Sequence, residues 1–219
     1  MSEKMLVTQA LDERDLLVKK IGDKIQKIQL VATKKRNEEK TVAAHVTTEE
    51  YGKAASAAYQ QIMDLIDRYQ RIDAAIVASN AATTIKTSYG DYTVAGAIAL
   101  RNRIKGSGIY ADKGAFEDRL ATLLERQYQT AVQSAEYKNK GLETQAETMR
   151  LSILGKDSKV KDDKPLEVVD AYIRENTTEV IDPLDVQKKA QELKDKIDTL
   201  LTELDTQIKV SNATTMIEF

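Results

Sequence analysis

Two arginines and two asparagines have positions in this sequence that suggest a specific interaction. Arg14 lies beside the apolar seam of the first predicted helix, and Arg101 takes the matching place in a similar later segment. An arginine beside an apolar seam is unfavourable unless its donors meet acceptors. Asn80 and Asn212, at the ends of two other predicted helices, offer amide oxygens and free carbonyl groups. We predict that Arg14 and Arg101 bind these ends; the alternative is two surface arginines whose stems lie along the bundle.

The remaining residues that are able to do chemistry do not form a catalytic pattern. The chain has one histidine, His45, in a connector, and no cysteine. No Glu-x-x-His pair of a di-iron bundle occurs, and the glycines at 106 and 108 lack the Gly-Lys-Ser/Thr ending of a phosphate loop. Carboxylates beside lysines and arginines on predicted helix faces are typical of solvated surfaces; they include Asp12, Glu13, Glu49, Glu50, Asp64 and Asp67. We therefore predict no catalytic, metal-binding or cofactor-binding residues, and no enzyme.

Composition narrows the class of partner. The 219 residues carry a net charge of −2, so no overall basic field attracts nucleic acid, and we expect no nucleic-acid partner. The first residues lack the apolar core of a signal peptide. The longest apolar run, VAGAIAL at 94–100, is too short to cross a bilayer. We expect a protein of the cytoplasm or of a virus particle, neither secreted by a signal peptide nor spanning a membrane.

Long helices are the predicted framework. Hydrophobic residues make up 42% of the chain, charged residues 31%, and proline occurs only twice. Apolar periodicity predicts helices over 8–35, 49–79, 94–105, 116–152, 165–175 and 183–210. The first has a seam close to the heptads of a coiled coil, at Leu11, Val18, Ile21, Ile25, Ile28 and Ala32, and Leu17 widens this apolar stripe.

One segment between helices favours strands instead. IKTSYGDYTV (85–94) has strand-forming Thr, Tyr and Val around Gly90-Asp91, which fits a two-residue turn. An irregular loop is the alternative. The predicted fold class is therefore all-α, an antiparallel bundle of long helices with a small β-hairpin near 86–93.

The sequence repeats itself in two places. IDAAIVASNAATTI (72–85) aligns with LDTQIKVSNATTMI (204–217), and ALDERDLL (10–17) aligns with AIALRNRI (97–104). The identical positions of the first pair are Asp73, Ile76, Ser79, Asn80, Ala81, Thr83 and Ile85. Two pairs in the same order along the chain are harder to attribute to chance than one.

The duplication predicts two pseudo-repeated helical hairpins, at 1–85 and 86–219, the second with an inserted helical segment at about 106–178. A lone hairpin leaves its apolar stripe in water, so we expect the two to dock as one compact unit. Helical hairpins of this kind often continue the same packing between chains, as dimers or rings.

These motifs resemble the septicolysin-like family, small helical bacterial proteins of unassigned function. The matching residues are Ala10 to Asp15, Asn80 to Thr83, Gly90, Ala97 to Asn102, and Val186 to Thr215. The resemblance covers roughly 1–104 and 179–219, and the segment at 106–178 is longer than the family pattern. The family name implies a haemolysin, yet the chain has neither a cysteine for thiol activation nor a long amphipathic β-hairpin.

We therefore expect a non-enzymatic α-helical assembly protein that forms homo-oligomers or joins other subunits in a larger particle, such as a phage virion. One alternative is a membrane-acting, haemolysin-like protein. Another is a hydrolase with its site at the repeat junction, near Arg14, Arg101 and Asn80.

Overall fold

The structure is a computed structural model that describes residues 3–41, 45–111, 114–154 and 164–219. It is mainly α-helical, as predicted, and its described part also holds two small antiparallel sheets. The helices are α1 (Val7–Lys27), α2 (Thr48–Ala82), α3 (Val94–Ile104), α4 (Phe116–Leu154), α5 (Lys164–Asn176) and α6 (Val186–Thr214), with a 3-10 turn at Gly108–Tyr110. The strands are β1 (Lys4–Leu6), β2 (Thr84–Thr87), β3 (Gly90–Thr93) and β4 (Met216–Glu218).

The predicted ends of α1, α2 and α6 differ from those in the structure. α1 ends at Lys27, eight residues before the predicted end at 35, and Ile28 after it is extended. The prediction that the helices end before the SNA motifs is wrong, since α2 continues to Ala82 and α6 to Thr214. Their serine and asparagine side chains therefore lie within the last helical turns rather than beyond the helix ends.

The start of α2 is fixed by a capping box. The Thr47 hydroxyl accepts a hydrogen bond from the Glu50 backbone N–H at 3.2 Å, and the Glu50 carboxylate accepts one from the Thr47 N–H at 3.0 Å. Together these bonds satisfy donors that a helix start otherwise leaves free.

The predicted hairpin is confirmed, with its turn two residues earlier than expected. β2 pairs with β3 in a register that sets Ile85 opposite Tyr92 and Thr87 opposite Gly90. Ser88 and Tyr89 form the turn. Gly90, at φ +133°, closes it with a backbone angle that side-chain-bearing residues rarely adopt.

A second sheet joins the first and last strands and has no counterpart in the sequence prediction. β1 pairs with β4 so that Lys4 faces Glu218 and Met5 faces Ile217. One residue further out, Glu3 and Phe219 exchange two backbone hydrogen bonds, at 3.0 and 3.1 Å. The two ends of the described chain thus lie side by side.

A buried cluster forms where α1, α2 and β4 meet. Its members are Val7, Ala10, Leu17, Ile72, Ile76 and Ile217. The buried face of α1 therefore runs through 7, 10 and 17, whereas Val18 and Ile25 of the predicted seam are 54% exposed. Leu17, which widens the predicted seam, belongs to this cluster, and Leu11 and Ile21 of the seam pack against it. The prediction missed Val7, which precedes its first residue.

The chain forms two compact units. The first contains Met1–Asn102 and Leu200–Phe219, and the second contains Arg103–Thr199. This grouping differs from the predicted single compact unit with a division at residue 85, because the β1–β4 pairing brings the last part of α6 into the first unit. In the second unit α5 lies against α4, with a 2.9 Å ion pair between Arg150 and Asp170.

Candidate functional site

Two helix–strand junctions in the first unit contain the sequence motifs that the chain duplicates. The β2–β3 junction consists of the end of α2, the hairpin and the start of α3. The β1–β4 junction consists of the end of α6, the paired strands β4 and β1, and the start of α1. In each, a helix ends in a strand, and an antiparallel strand leads into the next helix.

Corresponding residues make corresponding backbone contacts in the two junctions. The threonine after α2 and the threonine after α6 each donate their backbone N–H to the carbonyl of a serine four residues earlier. The carbonyl of each threonine accepts a hydrogen bond from the N–H of the valine that begins the other helix of its junction, α3 or α1. The bonds are Thr83 to Ser79 at 2.8 Å, Thr215 to Ser211 at 2.9 Å, Val94 to Thr83 at 2.9 Å, and Val7 to Thr215 at 3.0 Å. These threonines and serines are identical in the duplicated motif.

The duplicated arginines also make matching contacts. Arg14 donates to the Asp73 carboxylate at 3.3 Å, and Arg101 donates to the Asp205 carboxylate at 3.2 Å. Both arginine side chains are about two-thirds buried, with 31% and 28% of their surface exposed. Asp73 and Asp205 are themselves aligned in the duplication, so the two ion pairs occupy equivalent places.

The acceptors differ from the predicted ones. Arg14 and Arg101 reach carboxylates that lie about two helical turns before Asn80 and Asn212. A guanidinium forms a stronger, charge-assisted hydrogen bond with a carboxylate than with an amide. Because α1 runs antiparallel to α2, Arg14 lies beside Asp73 while Val7 lies nearer the helix end. The hydrogen bonds of the described residues show no contact between these arginines and Asn80 or Asn212.

Removing one arginine is expected to cost about 1 kcal/mol, because a partly exposed ion pair contributes little and leaves its carboxylate able to reach water. We predict that Arg14→Met and Arg101→Met each lower the free energy of unfolding by this amount in urea titrations. A double-mutant cycle with Asp73→Asn is expected to give a coupling of about 0.5–1 kcal/mol. The matched control is Arg14→Met with Asp205→Asn, which should be additive; coupling there, and none with Asp73, contradicts the pairing.

Arg68 on α2 binds the outer end of the β1–β4 junction. Its guanidinium donates two hydrogen bonds to the Glu3 carboxylate, at 3.0 and 2.8 Å, and one to Glu13. The same group lies over the Phe219 ring, 5.5 Å from the ring centre. The hydrogen bonds from Arg68 hold the pKa of the Glu3 carboxyl below its usual value. The Arg68 guanidinium thus contacts both Glu3, which precedes β1, and Phe219, which follows β4.

A different group holds the β2–β3 junction. The Glu203 carboxylate on α6 accepts hydrogen bonds from the Ser88 hydroxyl at 2.6 Å and from the Ser88 N–H at 2.9 Å. These bonds lower the pKa of Glu203. Sequence reasoning missed Arg68 and Glu203 because neither lies in an aligned position with the same residue type. The duplication therefore indicates the contacts that both junctions share. It does not indicate the Arg68–Glu3 and Glu203–Ser88 contacts, each of which occurs in one junction.

The described residues contain no cluster of three or more histidine or acidic side chains able to hold a metal ion. His45 lies exposed in the connector, with φ +53°. Within the described ranges, every helix is too short or too polar to cross a bilayer.

Comparison with protein-family models, curated proteins and solved structures finds no match to this chain. The resemblance to the septicolysin-like family therefore stays a prediction. The two junctions are similar, and each is stabilised by backbone pairing, a buried isoleucine and an arginine–aspartate ion pair.

Proposed function

We propose that the chain is a non-enzymatic α-helical structural protein that self-associates or joins other subunits of a larger particle, such as a virion. The observation that supports this is a strip of exposed apolar side chains in the second unit. On α4 the strip contains Phe116, Leu120 and Leu123, spaced so that they share one helix face.

The strip continues onto the start of α6. An open groove of about 480 Å³ lies between the two helices, and its lining is mostly apolar. The groove is lined by Leu120, Leu124, Leu184, Val186, Leu193 and the stems of flanking charged residues. The apolar strip consists of the leucines and the valine just named together with two further α4 residues, and its members are Phe116, Leu120, Leu123, Leu124, Leu184, Val186 and Leu193. Leu184 at its edge is 63% exposed.

Exposed apolar surface that is contiguous, rather than scattered, favours a protein-binding role. The strip is bordered by charged residues such as Lys189 and Glu192, an arrangement typical of interfaces with an apolar centre and a polar rim. A helix face of this type packs readily against another helix. The strip therefore supports an assembly role better than a catalytic one.

Self-association through the strip is tested by adding a charge. Leu120→Glu is expected to weaken association by about a hundredfold or more, because an unpaired carboxylate would be buried at the contact. Light scattering and sedimentation over a concentration series measure the effect. Tyr137→Glu, at an 82% exposed position on the same helix and outside the strip, is the control and should leave association unchanged. A wild-type chain that stays monomeric at all concentrations, with no partner, contradicts the proposal.

The haemolysin-like alternative comes from the family resemblance alone. Leakage of a trapped dye from liposomes tests it, with the Leu120→Glu chain beside the wild type. Leakage by the wild type that does not depend on the apolar strip favours this alternative over an assembly role.

We also infer that the two junctions reflect two copies of one helical hairpin, divided near residue 85, with α4 and α5 inserted in the second. The matching ion pairs and backbone bonds support this. In the copied arrangement, the turn at Ser88 and Tyr89 corresponds to the gap between Phe219 and Glu3, since Thr87 pairs with Gly90 as Phe219 pairs with Glu3.

A circular permutant tests the copying. Joining residue 219 to residue 1 leaves Met1 and Ser2 as a two-residue link, and the chain is opened between Ser88 and Tyr89. We expect this permutant to fold with a melting temperature within about 5 °C of wild type, since it exchanges one hairpin turn for another. A permutant opened between Leu65 and Ile66, within α2, is the control and should be far less stable. Equal loss in both permutants would contradict the equivalence.

A further inference from the structure

We propose that the apolar strip of one copy is covered by α2 of a second copy, which lies parallel to α4. This inference rests on the proposed self-association through the strip and names the surface that the strip binds. The contact joins two different surfaces of the same chain. It is therefore heterologous and continues from copy to copy.

The surface that fits the strip is an apolar stripe on α2. Tyr59 and Met63 are 53% and 40% exposed, and Ile66 beside them is half-buried. Spacings of four and three residues place these side chains on one helix face. We call these three residues the α2 stripe.

The duplication shows that the hairpin itself does not require this stripe. The alignment of 72–85 with 204–217 extends back along the two helices without a gap, because both helices are continuous there. The α6 residues aligned with the α2 stripe are Gln191, Asp195 and Asp198, in that order. Since the other copy has polar residues at these positions, the apolar side chains on α2 serve a contact outside the hairpin.

The α4 part of the strip has the same residue pattern as the α2 stripe. Each consists of an aromatic residue, a leucine or methionine four residues later, and a leucine or isoleucine three residues after that, which are heptad spacings. An exposed glutamine follows four residues later in both, Gln127 on α4 and Gln70 on α2. In a parallel pair with Met63 beside Leu120, apolar side chains meet at three successive levels. The two amides then meet and can hydrogen-bond to each other, and a polar pair of this kind fixes the register.

The flanking residues favour the mixed pair over pairs of identical helices. In a parallel coiled coil, flanking positions five residues apart on the two helices lie side by side and set partner choice. Two α4 helices would put Arg119 beside Leu124, and two α2 helices would put Ile62 beside Asp67. The mixed pair instead puts Arg119 beside Asp67 and Leu124 beside Ile62. Asp67 is exposed, and its contact with Arg71 on its own helix is a long one, at 3.7 Å.

Exposed side chains of α1 extend the same surface. Val18 and Ile25 are each 54% exposed and follow Arg14 by four and eleven residues. The α2 stripe lies seven to fourteen residues before Asp73. Both sets are therefore on the side of the hairpin where Arg14 binds Asp73. In the proposed pair, this side of α1 meets the groove between α4 and α6 and adds apolar area to the contact.

Two complementary variants of the full chain test the contact. Leu120→Glu disables the strip and keeps the α2 stripe, and Met63→Glu does the reverse. Each chain alone is expected to associate about a hundredfold more weakly than the wild type, because every contact would bury an unpaired carboxylate. An equimolar mixture is expected to regain this hundredfold and to stop at one-to-one pairs, since only one intact contact can form. Sedimentation velocity over a concentration series measures both effects.

A second stripe variant and a matched control accompany these chains. Tyr59→Glu, at a 53% exposed position, should behave as Met63→Glu does. Leu16→Glu, at a 49% exposed position on the side of α1 away from Val18, should associate as the wild type does. Circular dichroism shows that each chain keeps its helices.

Exchanging charges tests the parallel register. Asp67→Lys, added to the Leu120→Glu chain, is expected to weaken the mixed pair about fivefold, because it sets two cations side by side. Arg119→Glu, added to the Met63→Glu chain, should restore the affinity. A loss without this restoration overturns the register.

Stripe variants that associate as the wild type does overturn the α2 contact and leave self-association through the strip standing. A mixture that forms no pairs, from chains that each fail to associate, has the same meaning. A wild-type chain that stays monomeric at every concentration overturns both proposals.

Discussion

An Ile217→Asp chain is expected to lose on the order of 4 kcal/mol of unfolding free energy, enough to unfold a marginal protein. Ile217 is 4% exposed and packs among Val7, Ala10 and Ile72. Aspartate would put a carboxyl group into this hydrophobic cluster. The loss combines the missing apolar contacts with the cost of burying a polar group, and urea titration followed by circular dichroism measures it.

The adjacent residue provides the control. Met216 points to the other face of the same short strand and is 56% exposed, so Met216→Asp is expected to change stability by no more than about 0.5 kcal/mol. Ile85, aligned with Ile217 in the duplication and 5% exposed, should respond to aspartate as Ile217 does. Equal effects of Ile217→Asp and Met216→Asp would show that β4 does not pack as described.

The helices were predictable because their apolar periodicity is local. The hairpin was predictable for the same reason, since strand-forming residues flank a glycine within ten positions. β1 and β4 were not, because each has only three residues and its partner lies at the opposite end of the chain. Pairing over that distance leaves no local pattern, although the alignment of Ile217 with Ile85, beside a predicted strand, was a usable signal.

The arginine interaction was predicted in part. The sequence places Arg14 and Arg101 in equivalent positions where a guanidinium needs hydrogen-bond acceptors. In the structure these acceptors are Asp73 and Asp205, which are also equivalent. The choice of Asn80 and Asn212 was wrong because it assumed that the helices ended there. Asp73 and Asp205 recur in the same alignment, and a carboxylate is the stronger acceptor, so charge complementarity favoured them over the amides.

Ile72→Ala and Leu204→Ala are expected to cost about 2–5 kcal/mol each, because both residues are fully buried and alanine leaves a cavity. They are also aligned with each other, one turn before the buried isoleucines Ile76 and Ile208. If the pair α1 and α2 and the pair α3 and α6 are copies, the two variants should lose similar amounts of unfolding free energy. Urea titrations of both variants measure them.

Two exposed valines on the same helices give the controls. Val77 on α2 is 60% exposed and Val210 on α6 is 50% exposed, so their alanine variants should lose no more than about 0.5 kcal/mol. A large loss for Ile72→Ala beside a negligible one for Leu204→Ala would mean that only one pair of helices has a well-packed core. The two copies would then have kept the arginine–aspartate ion pairs and the strand contacts but diverged in core packing. In that case the permutant opened between Ser88 and Tyr89 would also be expected to lose stability.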